Sequence, residues 1–237
     1  MEFHKSKILV LIAFLFFCSG AAQNAEQDSR FITFVTDAAS VKLYWKDETG
    51  QIYRSIQTLK SKLEDNKQEL RFAMNGGMYL KDNSPQGLFI EDGAVRKPLD
   101  TLSGQGNFYL KPNGVFYLTK SNRAVVCQSK DFASNDDISY ATQSGPMLVI
   151  GGEIHPAFKK GSVNLNIRNG VGILPGNKVV FAMSKKEINF YDFAEYFKTL
   201  GCKTALYLDG FVSRTYLPEE NWTQLDGNFG VIIGVAK

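Results

Sequence analysis

Glycine-bearing turn pairs cut this chain into short apolar stretches, and no other feature constrains its fold as much. Asp92-Gly93 divides GLFIEDGAV, Gly151-Gly152 divides MLVIGGEI, Asn113-Gly114 divides NFYLKPNGVFYL, and Pro175-Gly176-Asn177 divides VGILPGNKVVFAMS. Such pairs reach the positive φ of a tight turn, so each stretch predicts a hairpin. Residues 31–45 alternate through Phe31, Phe34, Val41 and Leu43 and predict two strands joined near Asp37; FGVIIGVAK predicts a last buried strand. With 21 Gly and 18 Phe against 7 Pro, the chain is built for many turns between aromatic-rich strands. A 44% apolar and 22% charged composition fits an ordinary globular core and excludes disorder, collagen or coiled coil as whole-chain descriptions.

Two segments depart from the strand period. Ile52, Ile56, Leu59 and Leu63 recur every three or four residues, the mark of one helix face, with Lys60, Lys62, Glu64 and Asp65 on the other. Phe190, Phe193, Ala194, Phe197 and Leu200 mark a second helix, with Asn189 and Asp192 as an N-cap pair and Gly201 as a stop. Each helix is followed by a strand and a polar turn, RFAMNGGMY after the first and TALYLDGFVS after the second. Asn75 and Asp209 hold matching places in these two units. The pattern predicts a single α+β domain in which antiparallel sheets wrap around two main helices.

Residues 1–22 carry Lys5 and Lys7, an apolar run from Ile8 to Phe17, then Gly20 and Ala22 at the −3 and −1 positions of a cleavage site. This is the form of a secretory signal peptide, and the run is too short to span a bilayer. A lipid anchor at Cys18 is less well supported, because Phe17 precedes it where a small residue is wanted. The reading is of an exported protein, periplasmic or secreted, with residues 23–237 as the mature domain and no transmembrane segment after cleavage. One His, His155, and two Cys, Cys127 and Cys202, then remain. That leaves no zinc site built from several His and Cys ligands. The two Cys can pair in an oxidising compartment, or Cys202 can be a buried free thiol. With 27 basic and 24 acidic residues, the charge balance does not point to nucleic acid.

Four polar, Gly-rich stretches hold the candidate chemistry. Asn75-Gly76-Gly77 ends a strand where backbone amides can approach a ligand, unless it is simply a tight turn. Gln143-Ser144-Gly145-Pro146 precedes an apolar strand; without a G-x-S-x-G elbow, Ser144 reads as a substrate-positioning hydroxyl. Arg168 lies in a strand-like run between Ile167 and Val171, where a guanidinium needs an internal carboxylate or a bound anion. Asp209 ends the apolar strand Leu206 to Leu208, followed by Gly210 and Ser213; it either caps the next turn or works at the lip of a cleft. His155 is a hydrogen-bonded structural residue or a proton donor. Walker A, HExxH, EF-hand and G-x-G-x-x-G patterns are absent from the sequence.

Taken in order, Asn75-Gly76-Gly77-Met78-Tyr79, Ser144-Gly145-Pro146-Met147, Arg168 with Gly172, and Leu208-Asp209-Gly210 resemble the phosphodiester glycosidase family in its bacterial exported branch, over about residues 70–235. Phe211 and Val212 stand where the family often has Gly and Ser directly after Asp-Gly. The resemblance implies an α+β fold, a cleft lined by these motifs, and hydrolysis of a sugar-1-phosphodiester, N-acetylglucosamine-1-phosphodiester-like, at the glycosidic C–O bond. In that scheme Asp209 is general base or nucleophile and Arg168 clamps the anion. Asn75, Gly76, Gly77, Ser144, Gly145 and Ser213 bind substrate, and His155 donates a proton or holds the sugar. The partner is then a small phosphosugar or glycan. No cofactor is predicted; a divalent metal is possible but not indicated by the sequence. Two further readings use the same residues: an exported phosphosugar- or envelope-glycan-binding protein without turnover, and a metal-dependent phosphodiesterase with oxygen ligands from Asp209, Asp92, Asp100 and Glu153.

Overall fold

The apolar stretches pair into three antiparallel sheets in a computed structural model that describes residues 28–210 and 212–237. The proposed signal peptide, residues 1–22, lies outside the described residues. The six-stranded sheet runs in the order β1 (Phe31–Asp37), β12 (Lys178–Ser184), β11 (Asn169–Leu174), β13 (Thr204–Asp209), β9 (Met147–Ile150), β10 (Glu153–Ile154). A five-stranded sheet has the order β15 (Trp222–Thr223), β14 (Thr215–Leu217), β3 (Leu70–Asn75), β16 (Ile232–Ala236), β2 (Val41–Tyr44). A second five-stranded sheet has β5 (Ala94–Lys97), β4 (Phe89–Glu91), β8 (Ile138–Ser144), β6 (Gly114–Thr119), β7 (Ala124–Gln128).

Side-chain alternation gives each strand two faces. The inner faces of all three sheets share one core, in which Phe72, Phe116 and Phe181 are fully enclosed. The outer face of the six-stranded sheet is covered by α2 (Phe190–Thr199), whose Phe193 and Phe197 pack on Val180, Ala182 and Ala205. Burying each of these rings contributes about 1.5–3 kcal/mol. Gly172 lets this helix come close, since a Cβ there would meet the Phe197 ring at 2.8 Å. The helix α1 (Ile56–Asp65) covers the outer face around β3 and β16 with Ile56, Leu59 and Leu63. The α+β class and the two helices agree with the sequence, and each helix lies on the outside of a sheet.

Local signals explain most boundaries. The Ser55 side chain caps α1 by accepting from the Thr58 amide at 3.1 Å, so the helix starts at Ile56 and Ile52 stays outside it. Asn189 caps α2 by accepting from the Asp192 amide at 2.9 Å, as the sequence indicates. The hairpins at Asp92-Gly93, Gly151-Gly152 and Pro175–Asn177 form as expected. The hairpin expected in NFYLKPNGVFYL does not. Residues Asn107–Tyr109 form a single 3-10 turn, and Gly114 opens β6, which pairs with β7 and β8 instead. A buried Asn113 side chain, donating to the Phe108 carbonyl at 2.9 Å, holds this corner folded back.

Candidate functional site

The two helix–strand–turn units end at one place. Strands β3 and β13 lie in different sheets, yet Asn75 Nδ2 at the end of one donates to Asp209 Oδ2 at the end of the other at 3.2 Å. Two backbone donors fix the orientation of the amides. The Arg214 N–H can only donate, and it meets Asn75 Oδ1 at 2.9 Å, so Asn75 Nδ2 must face Asp209. The Asp209 N–H likewise meets Asn169 Oδ1 at 2.8 Å, so Asn169 Nδ2 faces Asn75 and donates to its Oδ1 at 2.8 Å and its carbonyl at 2.9 Å. Asn169 is wholly buried and joins both halves of the site.

Asp209 is partly exposed at the mouth of this network. Burial pushes its carboxyl up to about 6, against the opposing pull of the Gly210 amide, which donates to Oδ1 at 2.6 Å, and of Asn75. Among the described residues no second acid acts on that charge. Tyr79 is close enough that the Asp209 charge, after burial, raises its phenol. The Asp209-Gly210 turn rests on the Tyr207 hydroxyl, and a Cβ at position 210 would collide with that oxygen.

Arg168 is on the opposite face of β11 from Asn169. It is 0% exposed. Nε donates to the Ile188 carbonyl at 2.8 Å, Nη2 to the carbonyl and Oδ1 of Asn164 at 2.9 and 3.1 Å, and Nη1 weakly to the Tyr207 hydroxyl at 3.4 Å. The guanidinium stacks on Phe190, 3.6 Å from the ring centre. Neither expected partner is found: among the described residues no carboxylate pairs with it, and its donors face protein groups instead of a cleft. The fork expected to clamp an anion is enclosed by Asn164, Ile188 and two aromatic rings. Its unneutralised charge sits under the Tyr207 hydroxyl that supports the Asp209 turn.

The other sequence candidates divide in the same way. Ser144 Oγ is fully buried and donates to the Leu208 carbonyl at 2.8 Å, so its hydroxyl anchors the strand that carries Asp209. Ser213 Oγ, also buried, lies 3.0 Å from the Gly210 carbonyl and 3.2 Å from that of Asp209 and closes the turn. Both were expected to touch substrate; both donors are directed at backbone. Gly76 and Gly77 follow Asn75, Gly77 at φ +110°, which side-chain-bearing residues rarely adopt. Gly145 packs against Asn113 behind Ser144. His155 is buried away from Asp209, at the far end of a stack that runs through Phe158 and Phe190 to Arg168. Its Nδ1 accepts from the Ala157 amide at 3.1 Å, so the neutral ring carries its proton on Nε2. Burial lowers its pKa, partly offset by the Lys111 carbonyl.

Asn169, Tyr207 and the Arg214 amide are the site residues that motif reading missed. Strand alternation carries the signal for Asn169: Arg168 and Asn169 face opposite ways, so only one can face Asn75. The four acids considered for a metal engage separate partners: Asp92 meets Tyr140, Asp100 meets Tyr109, Glu153 meets Lys198 and Asp209 meets Asn75. No group of three or more His, Cys, Asp or Glu gathers among the described residues. Cys127 and Cys202 are free thiols. No described helix is long and apolar enough to cross a membrane.

The antiparallel α+β domain thus presents a desolvated carboxylate held by one side-chain amide, that of Asn75, and one backbone amide, that of Gly210. Residues 68–231 match the phosphodiester glycosidase family. The chain belongs to that family. It is 39% identical over 178 residues to the uncharacterized protein YigE of Escherichia coli (strain K12), covering 75% of this chain and 69% of that one. Its fold is similar to the catalytic domain of zebrafish N-acetylglucosamine-1-phosphodiester alpha-N-acetylglucosaminidase, auto-inhibited by its pro-peptide (TM-score 0.61, 14% identity, 86% of this chain and 82% of that one). It is also similar to a hypothetical protein from Synechocystis (TM-score 0.54, 12% identity, 87% of this chain and 59% of that one).

Proposed function

We propose that this protein is an exported hydrolase that cleaves a sugar-1-phosphodiester at the glycosidic C–O bond, with Asp209 as general base. The observation that carries the reading is Asp209 itself, a lone carboxylate at a strand end, its pKa raised by burial to about 6 and its orientation fixed by Asn75 and Gly210. A base with that pKa is ionised at neutral pH and still accepts a proton. In the step, Asp209 takes a proton from water while the water oxygen bonds to C1. The C1–O bond breaks, and its electron pair leaves with the phosphate monoester. That leaving group has a second pKa of ~6 and departs with little acid assistance. In keeping with this, no second carboxylate acts on Asp209 among the described residues, unlike the paired acids of ordinary glycosidases.

Arg168 acts here as a positioning residue, holding the Tyr207 hydroxyl under the Asp209 turn; Asn169 does the same for Asn75. The name of the zebrafish domain supports an N-acetylglucosamine-1-phosphodiester as the substrate class, and residues 1–22 support a periplasmic or secreted enzyme. The test is Asp209→Asn, assayed on a p-nitrophenyl phosphodiester of N-acetylglucosamine. A fall of roughly 10²–10⁴-fold in kcat/KM is expected. A folded variant with near-normal kcat/KM removes Asp209 from the mechanism, and a wild-type protein that binds the ligand without turnover makes it a binding protein. Turnover in ¹⁸O-labelled water puts the label in the sugar for C–O cleavage and in the phosphate for P–O cleavage.

A further inference from the structure

A cleft of about 580 Å³ opens beside the β2 edge. That volume falls in the range of small-molecule sites. Tyr44, Trp45, Tyr53, Glu91, Asp92 and Tyr140 line it. The cleft is separate from the Asp209 site but shares a sheet with it. Asn75, Ile232 and Tyr44 lie in one row across β3, β16 and β2, which puts Tyr44 roughly 10 Å from Asn75 at the usual strand spacing.

Its polar groups are poorly satisfied by the protein. The Glu91 side chain is 16% exposed, yet its contacts are a long one at 3.3 Å from the Trp45 amide and Arg96 Nε at 3.8 Å, beyond hydrogen-bond length. Burial raises its pKa. Its remaining acceptor sites open into the cleft, where the hydroxyls of a donor-rich ligand can take the place of water. The Tyr140 hydroxyl donates to Asp92, but no hydrogen bond engages the hydroxyls of Tyr44 or Tyr53 among the described residues. The Tyr44 and Tyr53 rings meet edge to face at 6.1 Å and present flat apolar surface beside these polar groups. Charge narrows the ligand further: Lys42, Lys46 and Arg96 line the cleft with Asp47, Glu48, Glu91 and Asp92, so cations and anions nearly balance and neither a strongly anionic nor a strongly cationic ligand is favoured; Lys46 lies over the Trp45 ring at 4.1 Å.

We infer that this cleft binds a neutral saccharide, with the face of the Tyr53 ring against the C–H face of a pyranose, the Tyr44 ring standing edge-on beside it, and the Glu91 carboxylate accepting from two adjacent hydroxyls. The inference stands on these residues and not on the role given to Asp209.

The test uses Trp222→Phe, which leaves Trp45 as the sole tryptophan of the two in the chain. Cellotetraose, maltotetraose and chitotetraose are titrated, and binding is followed by Trp45 emission and by calorimetry. Saturable binding of at least one sugar is expected. Glu91→Gln, which keeps the shape and removes the charge, and Tyr53→Ala, which removes one stacking face, each weaken it about tenfold, and Asp209→Asn leaves it unchanged. The inference is overturned by no binding of any of the three sugars up to ~10 mM. It is equally overturned by unchanged affinity in folded Glu91→Gln and Tyr53→Ala proteins, or by loss of binding in Asp209→Asn.

Discussion

Asp209 opposes folding in the ionised state that its proposed role as a base requires. Its folded pKa, about 6, lies above the ordinary carboxylate value of 3.8. A group shifted upward contributes its stability in full below the unfolded pKa and loses it as pH rises through the folded one. Asp209→Asn removes that loss. The variant is therefore expected to match wild type near pH 3.5 and to be more stable by up to about 3 kcal/mol at pH 7; urea unfolding at both pH values checks this. In wild type, kcat/KM is expected to rise with pH through about 6 as the base ionises. Asn169 sets that limb. With Asn169→Ala the Asn75 amide loses a partner, its donation to Asp209 weakens, and the limb moves to higher pH. Stability falls by about 1–3 kcal/mol because the Asp209 N–H loses its acceptor and Asn75 loses the two bonds from Asn169, keeping only that from the Arg214 N–H at Oδ1. A pH–rate profile, with ¹³C NMR titration of the Asp209 carboxyl in the free protein, separates this role from a merely structural one.

At the level of elements, the Asp209-Gly210 turn and strand β13 form one device, because the Tyr207 ring two residues earlier supports the turn from below. Gly210→Ala is expected to cost about 1–3 kcal/mol and to displace the carboxylate. Adding Tyr207→Phe removes the colliding hydroxyl, so the double variant should lose less stability than the two single changes summed; denaturant midpoints of the four proteins test it. Elements were also the most legible scale of the sequence. Asp92-Gly93, Gly151-Gly152 and Asn189 with Asp192 act through backbone geometry within a few residues, and each behaves as read. NFYLKPNGVFYL misleads because its Asn-Gly pair satisfies the local rule while a buried Asn113 side chain, a tertiary fact, decides the corner. The repeated helix–strand–turn pattern gave the Asn75–Asp209 pair. The pattern could not show that Ser144, Ser213 and Arg168 direct their donors inward, since that depends on which face of a strand meets another sheet.

For the molecule as a whole, the three sheets share one interior, and both thiols lie in apolar clusters outside it, Cys202 beneath α2 and Cys127 against the cluster of Leu88, Ile90 and Val115. Burial pushes Cys127 up to about 11 and Cys202 up to about 12, so neither is nucleophilic at neutral pH. Iodoacetamide is expected to leave the native protein unmodified and to label both once it is unfolded, and a reductant should leave Tm unchanged; mass spectrometry and a thermal scan check the pair of outcomes.

Asn75 and Asp209 come from strands in different sheets, so the distance between them reports how those layers are seated. A slip of one ångström, too small to register as melting, breaks a contact made at 3.2 Å and frees the carboxylate to swing. Warming would then silence the proposed activity in a reversible phase ahead of collapse, and any small molecule that straddles the seam would act as a splint.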